Sequence, residues 1–345
     1  MKTRSEKILI LILIAGLCAG VIKLAVDVIF VQPEKIEPEF VLCYGEVNAT
    51  GHTLSDMAYY FAECVEKLSE GKIIVEVYPS GQLGDDEQCY QAMQMGALDF
   101  YRGNCASFET KDNSMVSVMA LPYLFEDSDH FWKVCNSALG DEILADIHEN
   151  YQGMRGLAFL DEGARNFMTT EVPVTKLEDM KDLRIRTQSS SIMMDTVESL
   201  GAEPFALEYV ELYSALEAKN IDGAENPLIS YYYNRFYEAA PYYIIDEHTY
   251  SPSVLLISEI TWQALGEEYQ EIIMDAAKKA QGYNKERIKV AERDALAQLE
   301  NKNVHICELQ NVEQWRKAVQ PVYDKYGANH TSMIKQIEAM KKIKK

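Results

Sequence analysis

Several short motifs that mark common enzyme classes are missing from this sequence of 345 residues. It has no Gly-x-Ser-x-Gly nucleophile elbow, no His-Glu-x-x-His zinc motif, no phosphate-binding Walker loop and no Gly-x-Gly-x-x-Gly dinucleotide fingerprint. Paired acids do occur, at Asp85-Asp86 and Glu267-Glu268, but they lie in predicted polar turns and helix starts, where acidic side chains act as caps. An enzyme is therefore the weaker interpretation of this chain.

The cysteines also lack a pattern. Seven are scattered along the chain without a Cys-x-x-Cys pair or the spacing of metal ligands. Several have apolar neighbours, as small buried residues do. We therefore predict no metal, no cofactor and no disulfide framework, although an exported chain can oxidise some of its thiols.

Basic charge is scarce. The chain has 33 Lys and Arg against 54 Asp and Glu, which gives a formal net charge of -21. Nucleic acid is excluded as a partner, because phosphate binding requires clustered basic residues. The acidic field also slows the approach of an anion, so a site for an acid must be locally basic. The hydrophobic content of 48% is that of an ordinary globular protein, and the length allows two lobes.

One long apolar run is present, near the N-terminus. Three basic residues among the first seven precede an uninterrupted apolar run at residues 8–22, the order typical of an export signal. The run reaches spanning length only when it is extended to Val31 across two charged residues. We expect residues 1–31 to be a signal peptide, with a retained membrane anchor as the alternative. Cys18 follows Leu17, and a bulky residue there disfavours lipidation.

Hydrophobic periodicity alternates between strand and helix along most of the chain. After a Pro- and Glu-rich linker at residues 32–39, the pattern predicts strands at 40–44, 73–78, 98–101, 157–160, 167–169, 184–186 and 255–258. It predicts helices at 53–69, 86–95, 176–180, 191–200, 211–218 and 261–299. This rhythm predicts an α/β fold with mainly parallel strands, whose ligands bind beyond the carboxyl ends of the strands.

Seven short motifs occur in a fixed order. They are residues 78–86 (YPSGQLGDD), 96–100 (GALDF), 120–125 (ALPYLF), 163–167 (GARNF), 183–187 (LRIRT), 211–216 (ELYSAL) and 222–227 (DGAENP). In sequence and order they resemble the motifs of the extracytoplasmic solute-binding proteins of TRAP transporters, the DctP-like family. The resemblance covers about residues 40–330.

The resemblance implies a two-lobed α/β fold like that of periplasmic binding proteins, with a ligand cleft between the lobes and a long C-terminal helical region. Each lobe is discontinuous in this family. We expect lobe one at residues 40–162 plus 252–290, lobe two at 163–251 plus 291–325, and a helical tail at 326–345. The implied protein is an extracytoplasmic monomer without a cofactor, which captures an organic acid and passes it to the TRAP membrane subunits.

Arg186 is the leading candidate for binding the acid. It ends a short strand of alternating apolar and basic residues, which can hold the side chain rigidly, and its planar fork matches a carboxylate. The resemblance places Arg186 as the carboxylate-binding arginine, Arg165 as a second arginine in a turn of the pocket, and Asn226 as an amide contact. Pro227 fixes the direction of Asn226. Each residue also has a structural alternative. Arg186 could form a surface ion pair, Arg165 could brace the two lobes, and Asn226 could simply form a turn.

Five further residues complete the expected ligand site. Tyr209 and His248 match pocket positions of the family, although a lone histidine is usually structural. Asn104 stands where the sialic-acid binders carry a glutamate, and this difference disfavours sialic acid. Glu46 and His52 flank the first strand-to-helix turn, where they either face the cleft or cap the turn.

Tyrosine is abundant, with 21 copies, and residues 231–233, 242–243 and 250 cluster around Asn226 in sequence. A ring with a hydroxyl tip suits a hydroxylated sugar acid better than a bare aliphatic acid. Packing is the alternative for most of these tyrosines. We therefore expect a uronate or aldonate as the ligand. The alternatives are a C4-dicarboxylate or 2-oxo acid receptor and, more remotely, a secreted enzyme acting on an organic acid or a surface scaffold.

Overall fold

The structure is a computed structural model that describes residues 37–108, 114–250 and 252–341. The expected signal peptide at 1–31, most of the linker and the last four residues of the tail lie outside the described residues. Within the described part, no helix has both the length and the apolar composition needed to cross a membrane. The six cysteines described there are free thiols.

The strands and helices alternate over most of the chain. The strands are β1 (Phe40–Gly45), β2 (Ile73–Tyr78), β3 (Phe100–Asn104), β4 (Met154–Leu160), β5 (Ala164–Thr169), β6 (Arg184–Thr187), β7 (Glu203–Ala206), β8 (Gly223–Pro227), β9 (Tyr242–Ile245), β10 (Thr249–Tyr250), β11 (Ser253–Ser258) and β12 (His305–Glu308). The helices are α1 (Thr53–Leu68), α2 (Asp86–Gln94), α3 (Met115–Val118), α4 (Ser128–Cys135), α5 (Ala138–Asn150), α6 (Ser191–Ser199), α7 (Leu212–Glu217), α8 (Leu228–Tyr233), α9 (Glu259–Leu299), α10 (Val312–Ala318), α11 (Gln320–Tyr326) and α12 (Thr331–Ala339). The helix predicted at 176–180 is a short 3-10 turn, Leu177–Met180.

These strands form two sheets. The first has the order β2-β1-β3-β11-β4, and the second has the order β12-β9-β5-β8-β6-β7 with β10 paired to β5. The prediction of mainly parallel strands is wrong, because five of the ten strand pairings are antiparallel. All five antiparallel pairings involve β5 or β11. Each of these strands enters its sheet directly from a strand of the other sheet, so no βαβ crossover places it parallel to its neighbours. The extents of the two lobes remain a prediction.

Helix α1 forms where the sequence predicts it, because it has a capped start and an apolar face that packs against the first sheet. The side chain of His52 caps its start by accepting a hydrogen bond from the Leu54 amide at 3.2 Å. Met57, Phe61 and Val65 recur at helical spacing and are fully buried in the core of the first sheet. Burying side chains of this size contributes roughly 1.5–3 kcal/mol each.

Helix α9 contributes side chains to the hydrophobic core of each of the two sheets. It spans 41 residues and is interrupted at Gly266, whose φ of 70° is not helical. Ile273 packs into the core of the first sheet, whereas Leu299 packs into the core beneath β5, β8 and β9. The predicted long C-terminal helix is therefore confirmed, and it runs along both halves of the structure.

Residues 161–163 carry the chain from β4 in the first sheet to β5 in the second. Asn284 of α9 holds this crossing by accepting from the Asp161 amide at 2.7 Å and donating to the Asp161 carbonyl at 3.0 Å. Gly163 has a φ of +88°, and a Cβ atom there would lie 2.4 Å from a carboxylate oxygen of Glu292. A side chain at position 163 would therefore meet both backbone strain and a collision. This tight crossing places Glu162 and Arg165 at the site described below.

Candidate ligand-binding cavity

A cavity of about 460 Å³ is lined by residues of both sheets. Strands β3, β5, β6 and β8, together with the crossing between β4 and β5, supply six of its charged and amide groups: Arg102, Asn104, Glu162, Arg165, Arg186 and Asn226. The antiparallel register of β5 and β8 pairs Arg165 with Pro227 and Asn166 with Asn226, so the start of β5 lies beside the carboxyl end of β8. The cavity thus lies where an α/β sheet is expected to bind ligands.

Arg186, on β6, is a buried cation in this cavity. Its side chain is 2% exposed, and its Nε and Nη2 donate to the Leu207 carbonyl at 2.8 and 2.6 Å. Within residues 37–108, 114–250 and 252–341, no carboxylate lies within salt-bridge distance of it. Burial is the main cause that lowers the pKa of Arg186 to about 10, so the guanidinium stays charged at neutral pH. A buried charge without a counter-ion destabilises the free protein and favours an anionic ligand.

Asn226 provides a second unsatisfied donor. The residue lies on β8, not in the turn that its neighbour Pro227 suggested, and its side chain is buried. No described group hydrogen bonds to its Nδ2 atom. Leaving such a donor unpaired costs about 1–3 kcal/mol, so a ligand acceptor at this point is favoured.

Arg165 differs from Arg186 because its charge already has a partner. It lies on β5 and not in the expected turn, and its Nε and Nη2 donate to the carboxylate of Glu225, the Nη2 contact being 2.8 Å. Burial disfavours the charged form of Glu225, but Arg165 and His248 outweigh burial and lower the pKa of Glu225 to about 2. The structure thus brings Arg165 to the cavity wall as half of a buried ion pair.

His248 lies behind this pair and is not among the residues that line the described cavity. Its Nδ1 is 2.7 Å from an oxygen of Asp246, and its Nε2 is 3.6 Å from an oxygen of Glu225. Burial lowers the pKa of His248, but Asp246 and Glu225 outweigh burial and raise it to about 9. His248 is therefore a buried cation at neutral pH, placed to support Glu225 and Arg165.

This charge makes stability depend on pH. Because the pKa of His248 is raised from 6.5 to about 9, its contribution to stability is fully present below pH 6.5 and is lost as the pH rises through 9. We expect the unfolding temperature to fall over this range in the wild type and to fall less in His248→Gln. Thermal unfolding at several pH values measures both slopes, with His305→Gln, an exposed site on β12, as the control. Equal slopes in the wild type and His248→Gln would contradict this account.

A second buried charge cluster surrounds Arg102 on β3. Glu46 binds its Nε and Nη2 at 2.9 Å each, and Glu162 binds its Nη1. Asn104 donates to Glu162 at 3.2 Å and accepts from the Ala106 amide at 2.9 Å. Glu46 does not line the described cavity, whereas Arg102, Glu162 and Asn104 do. Arg102 and Glu162 were not among the site residues predicted from the sequence. The signal for Arg102 was its position directly after the strand predicted at 98–101.

Of the two remaining predicted site residues, Tyr209 lines the cavity and His52 does not. His52 caps α1, lies 3.3 Å from the Ser230 hydroxyl and is outside the cavity lining. Burial lowers the pKa of His52 to about 4, so it is neutral. Tyr209 lines the cavity, with its ring centroid 5.9 Å from the Arg186 guanidinium carbon, and its hydroxyl accepts from Asn234 at 2.8 Å.

Other polar groups reach the cavity from both sides. Gln188 follows β6, and its Nε2 donates to Asn104 and to Ser107 beyond β3 at 3.3 Å each. Asp85 caps α2 in a capping box with Gln88, as expected of an acidic pair in a turn. Asp86, which lines the cavity as Asp85 does, accepts from the hydroxyls of Tyr101 and Ser107.

The tyrosine cluster is not the ligand surface that its sequence position suggested. Tyr231 and Tyr243 are fully buried and pack against each other with ring centroids 4.5 Å apart. The tyrosines that line the cavity are Tyr90 and Tyr209. Packing is therefore the role of the buried cluster, and the polar character of the cavity comes from amides, hydroxyls and charges.

Residues 44–329 match the family described as bacterial extracellular solute-binding protein, family 7 (DctP). The chain belongs to this family. A TRAP periplasmic solute-binding protein from Bradyrhizobium sp. btai1, solved with D-galacturonate, is 32% identical, with 86% of this chain and 99% of that chain covered and a TM-score of 0.83.

A TRAP periplasmic solute-binding protein from Pseudomonas putida F1, solved with D-glucuronate, is 26% identical, with 88% and 98% of the two chains covered and a TM-score of 0.84. The C4-dicarboxylate-binding protein DctB of Bacillus subtilis is 28% identical over 300 residues, which cover 85% of this chain and 84% of that protein. The resemblance to DctP-like proteins and the α/β fold like that of periplasmic binding proteins predicted with it are therefore confirmed.

Proposed function

We propose that this DctP-family protein is an extracytoplasmic receptor that binds a sugar acid, a uronate or an aldonate, and delivers it to the membrane subunits of a TRAP-type transporter. One observation carries the proposal: Arg186 is a buried cation that faces a cavity and has no carboxylate within salt-bridge distance among the described residues. The carboxylate of the ligand supplies that counter-ion. We expect a monomer that is exported and acts as a binder without turnover.

The donors left on Arg186 suit a carboxylate. The Leu207 carbonyl occupies Nε and one N–H of Nη2, and no described group hydrogen bonds to Nη1. The terminal edge of the guanidinium, formed by Nη1 and the second N–H of Nη2, is therefore left for two carboxylate oxygens. The free amide of Asn226 provides a further donor to the same ligand. The Nε and Nη2 atoms of Arg165 bind Glu225, so Nη1 is the atom through which Arg165 would donate to the ligand.

The remainder of the cavity favours hydroxyl groups. Asn104, Ser107, Gln188 and Ser230 line it and offer both donors and acceptors. These groups keep donor and acceptor capacity beyond the bonds they make to one another, and succinate has no hydroxyl to use it. Each donor or acceptor that a ligand leaves unpaired away from water costs about 1–3 kcal/mol. The two uronate complexes described above support this choice. The name of the Bacillus subtilis relative supports the alternative, a C4-dicarboxylate receptor.

Titration calorimetry with D-galacturonate, D-glucuronate, D-galactonate and succinate tests the proposal. We expect one site per chain and a dissociation constant at least tenfold lower for the preferred sugar acid than for succinate, because more polar groups are paired. Tight binding of succinate, malate or fumarate with no binding of any sugar acid would favour the alternative. Nuclear magnetic resonance of the incubated ligands checks for turnover, and a reaction product would reject the receptor assignment.

A further inference from the structure

The carboxylates around Arg102 outnumber their cation. Glu46 binds Arg102 through two contacts of 2.9 Å and alone balances its charge. Glu162 binds the remaining nitrogen, Nη1, and therefore adds a negative charge to the cluster. Glu46 is 2% exposed and lies outside the cavity lining, whereas Glu162 is 8% exposed and lines the cavity. The surplus negative charge thus faces the ligand.

Glu162 has acceptor capacity to spare. One of its oxygens binds Arg102 and the other accepts from Asn104 at 3.2 Å. An ionised carboxylate has about four lone-pair sites, so roughly half remain for a donor in the cavity. Burial lowers the pKa of Arg165, but Glu225 and Glu162 outweigh burial and raise it, so Glu162 is within electrostatic reach of the ion pair beside Arg186. Glu162 and Arg186 line the same cavity, so a ligand that fills it lies in the field of Glu162.

The other acidic residues in the cavity lining are less suited to this role. Asp86 also accepts one hydrogen bond on each oxygen, but it is only partly buried, so water weakens its charge. Asp85 is committed to the cap of α2, and Glu87 and Glu208 are exposed, where water weakens their charges. Among the described lining residues, Glu162 is the acid that is both buried and only partly satisfied.

We propose that Glu162 determines specificity by accepting a hydrogen bond from a ligand hydroxyl and by disfavouring a second carboxylate. The inference rests on the proposed function, because Arg186 must hold the first carboxylate. A neutral hydroxyl donates to Glu162 at no electrostatic cost. A second carboxylate at the same place meets a like charge in a water-poor cavity, and like charges placed together are the usual means of rejecting a wrong partner.

The test compares D-galactonate with galactarate, which has the same carbon chain and one additional carboxylate in place of the terminal alcohol. In the wild type we expect galactonate to bind at least tenfold more tightly than galactarate, measured by calorimetry at fixed pH and salt. In Glu162→Gln, which keeps the shape and an acceptor, we expect this preference to fall at least tenfold. Glu46→Gln is the comparison variant, because it removes one charge from the same cluster outside the cavity lining and leaves Glu162 in place as a charged hydrogen-bond acceptor, so it should lose less of the preference than Glu162→Gln does.

Each outcome is informative. An unchanged preference in a folded Glu162→Gln, or an equal loss of preference in Glu46→Gln, overturns the inference and leaves the receptor proposal intact. If Glu162→Gln does not fold, the wild type alone still tests the idea, since equal affinity for galactonate and galactarate overturns it. A wild type that binds succinate and no hydroxylated acid overturns the proposed function itself.

Discussion

Replacing Arg186 with methionine is expected to reduce ligand affinity at least a hundredfold while leaving the unfolding temperature unchanged or raised. The loss follows from two charge-assisted hydrogen bonds to a carboxylate, each worth roughly 1.5–3 kcal/mol. The retained stability follows from burial, because the cost of holding this guanidinium with no described carboxylate at salt-bridge distance offsets the two hydrogen bonds to the Leu207 carbonyl that the variant loses. Arg186→Lys keeps the charge but loses the planar fork, so we expect a ten- to hundredfold loss. Calorimetry and thermal unfolding measure the two effects.

Arg184 offers a matched control on the same strand. It pairs with Asp222 through contacts of 3.0 Å, and its side chain is 41% exposed. Arg184→Met should therefore bind ligand as the wild type does, with a small effect on stability. Wild-type affinity in a folded Arg186→Met would reject Arg186 as the carboxylate ligand. A large drop in its unfolding temperature would instead indicate a structural brace.

Local features of the sequence were sufficient to predict much of the fold and the leading site residue. The alternation of apolar positions located most strands and helices, since period and capping are encoded within a few residues. Arg186 was recognisable because its strand and its motif are contiguous. The path of β11 was not recognisable from local features. This strand follows β10 of the second sheet, yet it pairs with β3 and β4 of the first sheet. The sheet that β11 joins is decided by tertiary packing, which leaves no pattern in the nearby sequence.

The ion-pair partners of the arginines could not be predicted from the sequence either. Arg102 is separated from Glu46 by 56 positions and from Glu162 by 60, and Arg165 is separated from Glu225 by 60. In the sequence, Arg165 and Arg186 are two arginines at expected pocket positions, and nothing there shows which of them has a partner. The register of β5 against β8 brings Glu225 to one of them, whereas no described carboxylate comes within salt-bridge distance of the other. Only the folded structure therefore separates a paired cation from an unpaired one.

Arg165→Met should have the opposite effect to Arg186→Met and destabilise the protein. It leaves the Glu225 carboxylate buried, with His248 at 3.6 Å as its remaining cation. Removing one partner of a buried ion pair typically costs about 3–5 kcal/mol, so we expect a decrease of that order in the free energy of unfolding. Urea denaturation with and without ligand measures it.

The double variant Arg165→Met with Glu225→Gln separates the two roles of Arg165. Because the second change removes the stranded charge, the double variant should regain part of the stability that the single variant loses. Ligand affinity then distinguishes the remaining possibilities in a folded background. If affinity recovers together with stability, Arg165 acts by holding the wall of the cavity. If stability returns and affinity does not, the Nη1 atom of Arg165 contacts the ligand, as the family resemblance implies.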